Sequence, residues 1–244
     1  MSMPNTDIPS VTAEQMREVD RRAVEDYGIE IIQLMENAAY QMADFLRSQV
    51  KIRGMKFVSL VGKGNNGGDA IAVTRHLKNW GGECEIVLSS IKEKINELSQ
   101  KQLQNVEKMG IPIIVSNDSN RGKVKKIIDQ SDVLIDGLVG YSITGALYGE
   151  IAQLVEMANN SGQEIVSFDL PSGLDPDTGE SFGKGIRAKW TVTLALPKIG
   201  IVKKEAREYV GKLYLADISI PEKLYSDLSL KVPRLFEKRS IIPL

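Results

Sequence analysis

The sequence predicts an α/β protein built on a mostly parallel sheet, and three observations carry that prediction. Short apolar segments alternate with amphipathic helical ones from residue 56 onward. Those segments are apolar nearly throughout, as strands covered on both faces are, rather than at every second residue. A glycine-rich stretch at residues 62–69 falls directly between one such strand and the helix behind it.

The elements follow in order. Thr12, with Gln15 three residues later, forms a candidate capping box, and Met16, Val19, Ala23 and Tyr27 then make one apolar helical stripe. Gly28 is placed to end that helix at its C′ position. A second helix is expected over residues 30–49, where Leu34, Met35, Ala38, Met42, Phe45 and Leu46 leave one side with little polar surface. Residues 57–61 read as the first strand, and the helix after the glycine loop is expected over 70–78. Further strands are expected at 84–88, 111–115, 132–135, 164–168, 191–195 and 213–216. Ile95, Leu98, Leu103, Val106 and Met109 mark a helix that Gly110 ends, and shorter helices fall near 124–128 and 151–158. No repeat, low-complexity tract or linker interrupts this order. Residues 1–244 therefore read as a single domain, with a core at 10–222 and a C-terminal extension at 223–244.

Composition narrows the partners. A chain of 244 residues can bury a large core, and 42% hydrophobic with 26% charged residues are globular proportions. The formal net charge of −1, from 31 basic and 32 acidic residues, offers no electrostatic footprint for nucleic acid or an anionic membrane. The single cysteine, Cys84, excludes an internal disulfide framework and a thiolate zinc cluster. The opening residues lack the basic and apolar regions of a signal peptide, and no apolar run approaches the roughly 20 residues that span a bilayer. A cytoplasmic protein with neither nucleic-acid nor membrane partners is expected.

Ligands of parallel sheets bind beyond the carboxyl ends of the strands, so three loops far apart in sequence can meet in one cleft. In the first, Gly62, Gly64, Gly67 and Gly68 place four glycines in seven residues. Such a loop permits positive φ and a close approach to a ligand, with helix N–H groups turned to an anion. The order matches neither GxxxxGK[ST] nor GxGxxG with its usual acid. A nucleotide-type phosphate ligand is one reading of it and a purely structural tight turn the other. Asn65 and Asn66 can cap a helix or offer carbonyl oxygens to a hard cation, and Asp69 is either the helix N-cap or a site residue. In the second loop Asp136 ends an apolar strand ahead of Gly137, Gly140 and Gly145, as a turn-former or a site group. In the third, Asp169 ends a buried strand, where an ionised carboxylate is costly unless paired or hydrogen-bonded. Asp175 and Asp177 sit in a Pro/Gly turn and read first as turn caps. His76 reads as a helix-surface residue, Cys84 as core, Trp80 and Trp190 as packing and residues 203–205 as a solvated turn. Lys198 either faces the cleft to meet a ligand phosphate or serves the structure.

With those loops set out, the chain resembles the YjeF N-terminal domain family, the NAD(P)H-hydrate epimerases, over residues 12–221. The likeness runs through residues 12–16 to Asp20, then 28–29 and 34–38. It continues in GNNGGD at 64–69, Asp136 with Gly140, DLPSGLD at 169–175, and residues 191–193, 197–198 and 217–218. The resemblance implies a Rossmann-like three-layer α/β/α sandwich, usually a homodimer. It also implies an isomerase for metabolite repair, which interconverts the R and S epimers of hydrated NADH or NADPH at C6 of the reduced nicotinamide ring. A separate dehydratase then acts on the S form; because the chain stops at Leu244, no fused dehydratase domain is expected.

Carried over position by position, Asn65, Asn66, Gly67, Gly68 and Asp69 would contact the dinucleotide substrate. Gly140, Tyr141, Ser142, Ile143, Thr144, Gly145, Ala146 and Asp169 would do the same, and Asn66, Asp136 and Ser172 would hold one potassium ion. Asp169 is the expected catalytic residue. Inversion at C6 needs loss and return of an oxygen through an iminium-like or ring-opened intermediate, which one group that gives and then takes a proton can serve. Two departures stand out: Ala70 replaces a family glycine, and Tyr141-Ser142 replaces a commoner Gly-Thr or Gly-Phe pair. Two other functions fit the same loops, a non-catalytic nucleotide-binding or protein-interaction module, and an enzyme acting on another nucleotide or phosphosugar.

Overall fold

A computed structural model describes residues 8–142 and 145–244. Its sheet has the strand order β3-β2-β1-β4-β5-β6-β7-β8. In chain order these are β1 (Lys56–Val61), β2 (Glu83–Leu88), β3 (Ile113–Val115), β4 (Val133–Gly137), β5 (Glu164–Phe168), β6 (Trp190–Leu194), β7 (Lys212–Ala216) and β8 (Ile241–Pro243). Every pairing from β3 through β7 is parallel, and β8 alone is antiparallel.

Side chains alternate across the sheet, and that alternation builds two cores. Phe57 and Val61 of β1, with Val133 and Ile135 of β4, pack beneath α1 (Ala13–Glu25), α2 (Ile31–Gln49), α3 (Asn65–Asn79) and α4 (Glu97–Lys108). Val58 and Leu60, with Leu134, face the other way onto α5 (Arg121–Asp129) and α6 (Gly149–Asn160). Helices on both faces of the sheet are the three-layer arrangement that the resemblance implies. A third, smaller cluster of Leu170, Leu174, Ile201, Ala206 and Val210 lies under the loops that follow β5 and β6.

Local chemistry accounts for the helix ends. The Thr12–Gln15 capping box is formed in both directions, Gln15 N–H to Thr12 Oγ1 at 3.1 Å and Thr12 N–H to Gln15 Oε1 at 2.9 Å. The helix closes at Glu25, slightly before Tyr27, and Gly28 adopts φ 67 just beyond it. α3 differs more from expectation. It starts at Asn65, with Gly64 as its N-cap, so Asp69 lies inside the helix and does not cap it. None of Gly62, Gly64, Gly67 or Gly68 is among the glycines with positive φ. At Gly62, Gly67 and Gly68 small size serves close approach instead, whereas a Cβ on Gly64 would meet nothing within 4 Å. A Cβ on Gly62 would lie 1.7 Å from the Leu138 carbonyl oxygen, and one on Gly67 would lie 2.4 Å from that of Gly62.

The C-terminal extension is partly built into the sheet. β8 pairs with β7, and a short helix at Glu222–Asp227 packs on α1. A three-residue edge strand that contains Pro243 carries too little periodicity to be read from sequence.

Candidate active site

The strand order reverses between β1 and β4, and the loops leaving their carboxyl ends diverge there. The register sets Leu60 beside Asp136 and Asp136 beside Ser167, which brings the ends of β1, β4 and β5 level. Above them lies a cleft of about 520 Å³. Asn65, Asn66, Asp69, Gly140, Tyr141, Ser142 and Asp169 all line it, so the structure brings together seven of the thirteen residues expected to contact the dinucleotide. Gly67 and Gly68 are buried in the turn that carries α3 and do not line the wall, and Gly145 and Ala146 also stand outside it. Ile143 and Thr144 lie outside the described residues. Leu34, Met35 and Ala38 of α2 close the apolar side. A larger, shallower groove of about 790 Å³ lies over the opposite stripe of α2, at Gln33, Glu36 and Asn37; it includes none of the strand-end residues.

Asp169 follows β5 directly and takes φ 66, a left-handed conformation that is uncommon for any residue but glycine, asparagine or aspartate. Only 4% of it is exposed. Its Oδ1 accepts from the Thr193 hydroxyl at 3.1 Å, from the Leu194 N–H at 3.2 Å, and from the Lys198 ammonium. Lys198 itself is 1% exposed and also donates to the Leu194 carbonyl at 3.3 Å. Lys198 is therefore the buried partner of Asp169 and not a phosphate ligand. The carboxylate at this strand end is thus both paired and hydrogen-bonded, the condition under which its burial is tolerated.

The same cleft holds two further acids. Asp20, half-buried on α1, accepts a hydrogen bond from the Tyr141 hydroxyl. Burial raises the Asp20 pKa against the opposing pull of that hydroxyl and of Lys198. Burial first, and then the adjacent Asp20, hold the Tyr141 phenol well above its usual range. Asp69 is 8% exposed and forms no side-chain hydrogen bond among the described residues. Burial, reinforced by the negative fields of Asp169 and Asp20, places its pKa well above the ordinary carboxylate value. Asp20 falls within the family likeness but was given no site role, since by itself it reads as one polar position on an amphipathic helix. Asn96 was likewise missed: it caps α4, lines the cleft and donates to Asn65 Oδ1 at 2.6 Å.

Asp136 is wholly buried at the end of β4. Its Oδ2 accepts from the Ser167 hydroxyl at 2.8 Å and the Ser172 N–H at 2.9 Å, and its Oδ1 accepts from the Ser172 hydroxyl at 2.6 Å. Burial raises its pKa, while these same bonds act to lower it. Ser172 Oγ also accepts from the Val139 N–H at 2.9 Å and reaches the Val139 carbonyl at 3.2 Å. The nearby Asn66 side chain contributes a buried Nδ2 with no hydrogen-bond partner among the described residues. Among the described residues no group of three or more His, Cys, Asp or Glu gathers to hold a metal, and no helix is long and apolar enough to cross a membrane.

The residues read as structural behave so. Cys84 is buried on β2, and burial pushes its thiol up to about 12. His76 bonds Glu36 at 2.9 Å and stacks edge-on with Tyr40.

Comparison with known proteins narrows the family. Residues 31–200 match the family described as YjeF-related protein N-terminus. The chain is 38% identical over 217 residues to the bifunctional NAD(P)H-hydrate repair enzyme Nnr of Moorella thermoacetica, covering 88% of this chain and 41% of that protein. It is 33% identical over 226 residues to the NAD(P)H-hydrate epimerase of Dehalogenimonas lykanthroporepellens, covering 92% of this chain and 87% of that one. The chain thus spans about two fifths of the bifunctional relatives it matches and most of the monofunctional one. The crystal structure of yeast YNL200c superposes with a TM-score of 0.84 at 23% identity, over 97% of this chain and all of that one, which shows the fold.

Proposed function

The chain belongs to the family of YjeF-related protein N-termini, and on that premise we propose that it is an NAD(P)H-hydrate epimerase, interconverting the R and S epimers at C6 of the hydrated nicotinamide ring. The observation that carries this reading is Asp169. It is a carboxylate on the cleft wall, held through Oδ1 by Thr193, Leu194 and Lys198, with its position set by an uncommon backbone conformation. The substrate's C6 bears a hydroxyl next to a ring nitrogen, so inversion turns on moving a proton at that oxygen. A carboxylate fixed to within one rotamer can do so, a contribution of about 10²–10⁴-fold. Asn65, Asn66 and Asp69 on α3, and Gly140, Tyr141 and Ser142 after β4, position the dinucleotide. Leu34, Met35 and Ala38 keep water off the ring side of the cleft. Residues 143–146 complete the binding segment in this reading.

A potassium ion belongs to the proposal, on Asp136, Ser172 and Asn66, with the Val139 carbonyl beside them. The donor chemistry fits a large hard cation, because it offers carboxylate, hydroxyl, amide and carbonyl oxygens and no sulfur or imidazole. Asn66 would offer its amide oxygen to the ion, while its unpartnered buried Nδ2, a donor, is left to meet an acceptor oxygen of the substrate. When bound, the ion supplies a fixed positive charge that ties the loops after β1, β4 and β5 together. Exchange of potassium for lithium should lower activity and the melting temperature together. A protein indifferent to the exchange in both readouts would sink this ligand set. A homodimer working in the cytoplasm, upstream of an NAD(P)HX dehydratase, completes the reading; the bifunctional relatives support the link to a second repair activity.

The test is proton NMR of R-NADHX in potassium buffer, with spontaneous epimerisation as the control. The protein should speed approach to the R/S equilibrium, and Asp169→Asn should bind ligand yet lose most of the acceleration. That variant also strips the partner from a buried ammonium, at a cost of about 3–5 kcal/mol, so it is assayed well below its own melting point. Near-wild-type turnover by the folded variant would remove Asp169 from the mechanism.

A further inference from the structure

The cleft holds three carboxyl groups, and their partners are unequally shared. Asp169 has Lys198, the Thr193 hydroxyl and the Leu194 N–H. Asp20 has the Tyr141 hydroxyl. Asp69 has none among the described residues, although it is 8% exposed and lines the cleft. Its charged surroundings are of one sign, Asp169 beyond β5 and Asp20 on α1. Lys63 also lines the cleft but is exposed, and Lys198 is engaged with Asp169. A carboxylate in such a place would be unsolvated, unpaired and repelled by two neighbours. The α3 N-terminus favours the anion, but only as a partial charge. The protonated form, an O–H donor directed at the ligand space, is the one the surroundings stabilise.

We propose that Asp69 is a second catalytic residue, the acid that protonates the departing C6 oxygen while Asp169 serves as the base. The inference rests on the epimerase reading above and deepens it from one proton-handling group to two. In the first step the Asp69 proton moves to the C6 hydroxyl oxygen, and the C6–O bond breaks with its electron pair leaving as water. The ring-nitrogen lone pair forms the C6=N1 iminium, and Asp69 is left as a carboxylate. Water then attacks the opposite face of C6. The π pair returns to nitrogen, and the proton shed by that water passes to Asp169. Proton exchange through cleft water resets the two acids, and the reverse direction runs the same steps backward.

The fold places the two groups suitably for opposite faces. Asp69 stands on the helix after β1 and Asp169 at the end of β5, with β4 between them. Two strand spacings amount to about 10 Å, which leaves room for a ring.

The experiment compares wild type with the isosteric Asp69→Asn and the conservative Asp69→Glu, using R-NADHX as the probe. Proton NMR follows epimerisation, a titration of R-NADHX measures its dissociation constant, and mass spectrometry in ¹⁸O-water follows oxygen exchange at C6. Asp69→Asn should lose about 10²–10⁴-fold in rate with binding within about threefold, and Asp69→Glu should recover part of the rate. Wild type should take up ¹⁸O in step with epimerisation. The wild-type rate should fall on the alkaline side, and that limb should be missing from the residual Asn activity. Asp69→Asn turnover within about threefold of wild type, a loss explained wholly by weaker binding, or wild-type epimerisation without ¹⁸O uptake would each overturn the role of Asp69 while the epimerase reading stands. A wild type that does not accelerate epimerisation at all would overturn both.

Discussion

At the scale of single residues, the burial of Asp69 has a thermodynamic signature that needs no substrate. Its folded pKa lies well above its unfolded one, so above about pH 4 the folded chain holds a proton that the unfolded chain has released. Its contribution to stability is therefore full below about pH 4 and is lost as pH rises toward the folded value. Melting temperatures of wild type and Asp69→Asn should be closest near pH 4, with the variant gaining steadily toward pH 8. Parallel curves would show that Asp69 ionises as freely in the fold as outside it. Asp20 and Asp136 are shifted in the same direction, so the chain as a whole should lose stability on the alkaline side. Asp136 and Asp169 were legible as strand-end carboxylates. The Lys198 ammonium was visible only as a choice between cleft and structure, because its pairing with Asp169 spans 29 residues and a loop geometry. Asp20 was visible only as a position in the family likeness, because its partner Tyr141 lies 121 residues away.

At the scale of elements, the first loop works by closeness and not by unusual backbone angles. Gly62 passes so near Leu138 that any side chain must push the β1 and β4 loops apart. Gly62→Ala should cost at least about 1–3 kcal/mol and loosen the proposed cation site between those loops. Gly122→Ala on α5, where nothing lies within 4 Å, should be neutral or mildly stabilising. Chemical denaturation of the two variants checks the contrast, and equal stabilities would remove steric contact as the reason for Gly62. The glycine count was readable from sequence, but its cause was not. Positive φ and tight approach leave the same composition, and only the neighbouring loop distinguishes them. The Thr12–Gln15 cap was fully readable, because both partners lie within one turn. α3 starts five residues before the expected position 70, since a run of asparagine and glycine resembles loop until its N–H groups are seen engaged.

At the scale of the molecule, β8 covers the edge that β7 would otherwise expose. Deleting residues 240–244 uncovers the unpaired N–H and C=O groups along β7, including the Leu215 pairing with Ile242. The truncated chain should self-associate, seen as a rise in mass by light scattering, with little change at the cleft on the far side of β6. A truncated chain that matches full length in mass and melting temperature would make β8 an ornament of the sheet.

The sequence by itself determined the α/β class, nearly every strand and helix, and the three strand-end loops that meet at the candidate site. These follow from periods, caps and turns that act over a few residues. Tertiary structure alone decided the strand order, the joining of β8 to the sheet, the pairing of Lys198 with Asp169 and the isolation of Asp69 among acids. Those features depend on which surfaces meet, and a carboxyl group's state is set by the neighbours that burial assigns it, wherever in the chain they lie.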